Sequence, residues 1–301
     1  MISLISREKL DVDKYNACVE NSMQANIFGF SWYLDIACEN WSVLVLDNYE
    51  AVMPIPWRKK FFIKYVYPPF WVLQLGIYSK VVEDENEFLI ELFSEFKFVE
   101  SRLNTQNSFS MFLNYRFQKH FQILGLEQDY IHILSKYRKD RKKDLQRAKK
   151  ADLTERWNDQ PQNLIKLYHQ NVGARVRKIK EKDYENLLKL MQRCIDKKVG
   201  EILSVYDKNG QIVASGFFIK YKGRVSILVS STDFKRRKNG ANTFLIDRAI
   251  YKYQPTYKIF DFGGSSMKSI SKYFLSFGSH NESYYFLKYN NLPKFLKFFK
   301  R

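Results

Sequence analysis

A polar turn set between two β-rich runs occurs twice in this chain, and that repetition limits its fold more than any other feature. Asp47-Asn48-Tyr49-Glu50-Ala51-Val52-Met53 matches Asp207-Lys208-Asn209-Gly210-Gln211-Ile212-Val213 in local order. Asn-Gly between apolar runs is a strong hairpin signal, because such turns need positive φ. In the first half, apolar spacing predicts helices over 12–23 and 31–39, then strands over 42–47 and 51–55. Pro54 and Pro56 lack the N–H that a ladder uses, so the second strand is expected at an edge, or to end early. Strand-like runs follow at 61–67 and 71–78. An acidic turn from Glu83 to Glu87 opens a helix reaching about Val99, and strands are expected at 109–113 and 130–134. The second half repeats the programme. It reads helix 183–194, strand 201–206, strands 211–219 and 225–231, a helix from Asn239, strand 258–262, helix 269–275 and strand 284–289.

Each half is thus helix, antiparallel hairpin, further strand, helix, strand. The expected class is α/β in the α+β sense: two tandem units, each a mixed, largely antiparallel sheet flanked by helices. Their expected extents are 1–135 and 156–301, joined by a basic linker helix at 136–155.

The 301 residues, with 25 Phe and 20 Tyr, supply apolar material for two cores. No stretch approaches the roughly 18 unbroken apolar residues of a membrane helix, and the first residues lack a signal-peptide apolar core. A soluble, cytoplasmic chain is expected, with the inner membrane face as a peripheral location. Cys18, Cys38 and Cys194 are too far apart for a CxxC pair, and His120, His132, His169 and His280 are equally dispersed. No disulfide framework and no metal site is therefore expected.

The net charge of +18 favours anionic partners: nucleic acid, phosphorylated cofactors or an anionic lipid face. Residues 136–150 carry nine basic side chains against Asp140 and Asp144. On a helix, Tyr137, Arg141, Leu145 and Ala148 share one face and the remaining faces are cationic.

Two segments point to chemistry. From Ser230 to Asn242 a strand end passes through Arg236-Arg237-Lys238-Asn239-Gly240-Ala241 into a helix. Basic residues beside a glycine at a helix N-terminus suit a pyrophosphate. Further on, Phe260-Asp261-Phe262-Gly263-Gly264-Ser265 ends a strand in a carbonyl- and hydroxyl-rich edge, where ligands of such sheets sit, and Tyr273-Phe274-Leu275-Ser276-Phe277-Gly278 follows.

Over about residues 130–290 these motifs resemble the second unit of FemAB-like proteins and of GNAT-superfamily bacterial acyltransferases, in which two GNAT units occupy one chain. The resemblance implies transfer of an acyl group to an amine. It implies that backbone N–H groups near Val229, Ser230 and Ser231, on a splayed strand, polarise the reacting carbonyl. Arg236, Arg237, Lys238, Asn239, Gly240, Ala241 and Asn242 would then hold acetyl-CoA or another acyl-CoA. Two positions depart from the family patterns. Asn239 stands where the phosphate loop has its first glycine, and Phe274 stands at the lysine of the Fem terminal motif, with Lys272 two residues away.

Asp261 is the candidate proton acceptor, and Ser265 and Tyr273 the candidates to orient an acceptor or relay its proton. His169 is a further candidate base. Trp57, Gln74, Gly263, Gly264 and Lys272 are candidates for the acceptor groove. The leading expectation is a CoA-dependent N-acyltransferase acting on an amino sugar or other cell-envelope precursor. A Fem-type ligase using aminoacyl-tRNA on a peptidoglycan precursor is the second. A non-catalytic binding protein on a double-GNAT scaffold is the third.

Overall fold

The computed structural model describes residues 1–60, 62–81, 84–176, 179–264, 267–293 and 296. Phe61, Glu83 and Ser265, which figure above, lie outside the described residues, as does the side chain of Arg237. The chain divides into two units, one of residues 1–119 with 283–301 and the other of residues 120–282.

In the first unit, four antiparallel strands lie in chain order: β1 (Ile2–Ser6), β2 (Asn40–Leu46), β3 (Ala51–Lys60) and β4 (Ile63–Val66). The short β5 (Tyr78–Ser79) adds to β3. β6 (Phe98–Arg102) lies parallel to β4, and β13 (His280–Asn290) is antiparallel to β6. Two helices precede the hairpin, α1 (Val12–Asn21), capped by Asp11, and α2 (Ser31–Ala37). α3 (Glu85–Glu95) presses Phe88, Leu89, Leu92 and Phe93 into a core with Leu44, Met53, Ile55, Val66, Val99 and Leu287.

The second unit is built in the same sense. Its strand order is β8 (Thr154–Trp157), β9 (Gly200–Tyr206), β10 (Ile212–Tyr221), β11 (Arg224–Thr232), β12 (Ile259–Asp261) and β7 (Arg116–Gly125). The first four are antiparallel, β12 is parallel to β11, and β7 is antiparallel to β12. Its helices are α4 (Tyr130–Ser135), α5 (Lys139–Lys150), α6 (Pro161–Gln170), α7 (Glu181–Asp196), α8 (Ala241–Tyr253) and α9 (Lys268–Leu275). The core gathers Leu203, Val213 and Phe218 of the sheet with Leu245 and Ala249 of α8, and with Phe260 and Phe277.

The first unit is discontinuous in sequence and takes its last strand from the far end of the chain. The chain leaves the first unit through β7, which pairs in the second, and returns through β13, which pairs in the first. The division is therefore not the expected succession of 1–135, a linker and 156–301. Residues 136–155 are no linker either: α5 packs its predicted face onto α8, with Tyr137 and Ala148 buried.

Other differences have local causes. Pro54 and Pro56 sit inside a ten-residue strand, paired with Val43 and Trp41 of β2. On the other side of β3, β5 covers only Ala51 and Val52 and β4 begins at Trp57, so the prolines occupy a gap between two partners. Residues 130–134 are β-rich in composition yet form α4, because Asp129 Oδ1 accepts from His132 N at 2.7 Å and caps a helix. α3 stops at Glu95 and Val99 already belongs to β6. Of 71–78 only Tyr78 is in a strand, and 109–113 holds none. β1, β7, β8 and α6 were not anticipated.

Candidate functional site

β11 and β12 begin as a parallel pair, with Arg224, Val225 and Ser226 opposite Ile259, Phe260 and Asp261. β12 then stops, while β11 runs on to Thr232, paired only with β10. A bulge between the Phe217–Val229 and Phe218–Ile227 pairs falls at the parting point and turns the strand. Alternate residues of an antiparallel strand direct their N–H groups away from the partner. Among the described residues, no strand meets those that β11 directs away from β10 beyond Ser226. β11 thus overhangs the end of β12, with Asp261 at the floor of the overhang and the segment containing Val229, Ser230 and Ser231 along it. Val229 is buried, Ser230 is half-buried, and Ser231 donates its hydroxyl to Leu167 O at 3.2 Å.

Asp261 lies at the floor, 1% exposed. Its carboxylate accepts from Arg224 Nε at 3.0 Å, Ser226 Oγ at 3.3 Å and Gly263 N at 2.8 Å, and pairs with Arg224 Nη2 at 2.9 Å. Arg224 also pairs with Glu282 at 2.5 Å. Burial disfavours the Arg224 charge, but the two carboxylates outweigh it and raise its pKa. Both carboxylate oxygens are thus engaged, one by Gly263 N and the other by Arg224 and Ser226, which fixes the side chain in place. Arg224 and Glu282 went unnoticed in the sequence; the only signal was an acid on β12 that needed a counter-charge from a neighbouring strand.

The glycine turn beyond β12 is required by its surroundings. Gly264 sits at φ +68°, and a Cβ there would lie 2.7 Å from Phe121 Cδ1. Gly263, at φ +76°, follows the same left-handed path.

At the far end of β11 the chain turns into α8. Asn239 Oδ1 accepts from Ala241 N at 3.0 Å, so a side chain occupies a donor that a phosphate would use. Arg236 is drawn to Asp207 at 2.6 Å, whereas Lys238 is exposed. Gly240 has φ +85°, and a Cβ on it would meet Asp144 O at 2.1 Å, so α5 sits directly against this turn. Asn242 Oδ1 accepts from Thr232 Oγ1 at 3.2 Å and ties the helix to β11.

Tyr273 reaches the same helix end from α9. Its hydroxyl lies 3.1 Å from Thr243 Oγ1, which in turn contacts Asp144 at 3.1 Å and Arg141 Nη1 at 2.8 Å. Arg141 lies 4.5 Å above the Tyr273 ring, pairs with Asp144 at 2.8 Å, and keeps a buried Nε without a partner among the described residues. Burial pushes the Tyr273 phenol up to about 12, against the opposing pull of Thr243 and Arg141. The phenol therefore stays protonated at neutral pH. Arg141 and Thr243 are not among the sequence candidates, although helical spacing sets Arg141 on one face with Tyr137, Leu145 and Ala148.

The remaining candidates scatter. Lys272 is exposed on α9, and Phe274 packs its ring 4.9 Å from Phe262, so that position is apolar filling. His169 is exposed, with its ring 5.1 Å from Tyr184. In the first unit Trp57 donates to Ser42 Oγ at 3.0 Å and Gln74 is buried. A surface pocket of that unit is lined by Tyr67, Pro68, Pro69, Val72, Leu75, Ser101 and Arg102, and includes neither of them. Among the described residues no group of His, Cys, Asp and Glu is arranged to hold a metal, and no helix is long and apolar enough to cross a membrane.

No protein-family profile matches the chain, and no curated protein matches it significantly. Solved structures do match. FemX superposes with a TM-score of 0.63 at 9% identity, covering 97% of this chain and 99% of its own. The fold is FemX-like and GNAT-related. L-PGS from Bacillus licheniformis shares this FemX-like fold with a TM-score of 0.59 at 14% identity, covering 96% of this chain and 95% of its own. A tandem GNAT protein from the clavulanic acid biosynthesis pathway does so with a TM-score of 0.54 at 8% identity, covering 98% and 100%.

Proposed function

We propose that this protein is an N-acyltransferase whose second unit passes an acyl or aminoacyl group to an amine of a cell-envelope precursor. What supports this reading is the overhang, where β11 continues past the end of β12 beside the Arg224–Asp261 pair. In the proposed step the acceptor amine attacks the carbonyl carbon and the C–N bond forms. The bond from carbonyl carbon to leaving sulfur or oxygen breaks, and the amine proton passes to that atom, which departs as thiol or alcohol. N–H groups of β11 stabilise the oxygen that gains charge. Asp261 and Arg224 tie β12 to the start of β11 where the two strands are still paired. Tyr273, protonated at neutral pH, is placed to donate a hydrogen bond or a proton near the N-terminus of α8.

For the donor we favour an aminoacyl ester on tRNA. The capped Ala241 amide and the paired Arg236 leave the phosphate loop a poor cradle for a CoA pyrophosphate, and the +18 charge suits a polyanion. Acyl-CoA is the second reading, favoured by Gly240 at the start of α8, where a backbone approaches closely.

The deciding experiment incubates the full chain with labelled aminoacyl-tRNA or with acetyl-CoA, with an amine acceptor in excess, and follows amide formation in a single turnover. Transfer from aminoacyl-tRNA that weakens steeply with salt supports the first donor. Transfer from acetyl-CoA alone moves the assignment to the second. No transfer from either, with intact folding, overturns the enzymatic reading.

A further inference from the structure

The tip of the β3–β4 hairpin combines three features that the fold does not explain. Phe62 is 93% exposed and has φ +66°, a backbone region that glycine or asparagine fills more easily than an aromatic residue. Lys59 and Lys64 stand directly opposite one another in the ladder, an arrangement of like charges that weakens a hairpin. Lys60 is exposed beside them. The sequence holds no Asp or Glu between Glu50 and Glu83, so the whole hairpin and its flanks are free of acids. Glu39, from outside the hairpin, pairs at 3.1 Å with Arg58, further from the tip.

Strain, exposure of a large ring and facing cations all oppose stability, and each serves insertion into an anionic bilayer. An aromatic ring at a loop tip enters the interfacial region, while lysines around its base meet the phosphates. Lys59 lies over the Phe62 ring at 5.6 Å, and Lys64, opposite it, lies over Trp57 lower in the hairpin at 4.6 Å. We infer that the β3–β4 hairpin is a membrane-docking element that recognises an anionic phospholipid surface, with Phe62 as the inserted residue and Lys59, Lys60 and Lys64 as its headgroup contacts. This stands on the hairpin alone and does not depend on the acyl donor. A single tip of this kind gives weak, reversible binding that falls with added salt.

The test is co-sedimentation of the full chain with vesicles of phosphatidylcholine, with and without phosphatidylglycerol. Binding is expected only to the anionic vesicles. Phe62→Ala is expected to weaken it about tenfold, a change of about 1.4 kcal/mol, and Lys59→Ser with Lys64→Ser by a similar factor or more. Lys142→Ser with Lys143→Ser, on the exposed face of α5, controls for a second basic surface and is expected to change little. A positive readout comes from Phe62→Cys carrying an environment-sensitive dye, since Cys18, Cys38 and Cys194 are all buried. Its emission is expected to shift to the blue on anionic vesicles only. Unchanged emission, or vesicle binding lost with the α5 variant but kept by the hairpin variants, overturns the inference. Hairpin variants that lose tRNA binding while vesicle binding persists would reassign the tip to nucleic acid.

Discussion

Asp247, in the middle of α8, is 4% exposed and accepts from the Tyr130 hydroxyl at 2.9 and 3.0 Å. Burial raises its pKa from 3.8 to about 6, with the Tyr130 hydrogen bond and Arg248 pulling the other way. Between these two values the folded chain binds more protons than the unfolded one, so stability falls as pH rises through that window and levels off above it. Two pKa units correspond to about 3 kcal/mol at neutral pH, relative to the protonated limit. Asp247→Asn keeps the shape and an acceptor for Tyr130 but carries no charge. The variant is expected to match the parent near pH 4 and to exceed it by about 1–3 kcal/mol at pH 8, a rise in Tm of roughly 2–8 °C for a domain of this size. Thermal unfolding followed by circular dichroism across that range measures the difference. Glu85, buried in the first unit and pushed up to about 7, adds a similar slope to both proteins and cancels on subtraction. A difference that is flat with pH, or a variant less stable than the parent at pH 8, would refute the reasoning.

Three further outcomes follow from contacts described above. Gly240→Ala places a methyl group against Asp144 O in a left-handed backbone and is expected to destabilise by about 3 kcal/mol or more in chemical unfolding. Arg224→Met leaves the Asp261 carboxylate buried without its counter-ion; a loss of about 3–5 kcal/mol is expected, and double replacement with Asp261→Asn should restore part of it. Tyr273→Phe removes one hydroxyl from the Thr243 network and is expected to change stability by only about 1 kcal/mol. If the phenol serves transfer, the same variant lowers the single-turnover rate with substrate binding unchanged, and an unaltered rate would return Tyr273 to a packing role.

Signals that act over short distances along the chain were readable. Asn209-Gly210 marks a turn wherever it occurs, and Gly210 takes φ +70° there. The face of Tyr137, Arg141, Leu145 and Ala148 emerged from helical spacing alone, as did Leu245 and Ala249 of α8. Composition misled at 130–134, where a single capping carboxylate from Asp129 outweighs the β-preference of the residues after it. What could not be read was partnership between distant segments. Asp261 was visible as an acid near a glycine turn, but its neutralisation by Arg224 depends on which strands lie side by side and in what register. Asn239 was visible as a missing glycine; that its side chain takes up the Ala241 amide follows from a rotamer, not from spacing. The extents of the units went astray for the same reason, since nothing local announces that β13 pairs with β6.

The return of β13 to the first unit sets an order of events during synthesis. The second unit uses β7, made before the rest of it, so residues 116–282 contain all six of its strands by the time Glu282 is added. The first unit is made earlier but waits for its last strand, and Leu287, wholly buried in its core, is among the last residues it receives. At about 5–20 residues per second, β6 stays without its partner for roughly ten to forty seconds after it leaves the ribosome. The half translated first is the half that closes last, and over that interval an open strand edge beside an apolar core is where a chaperone or a second nascent chain would find a hold.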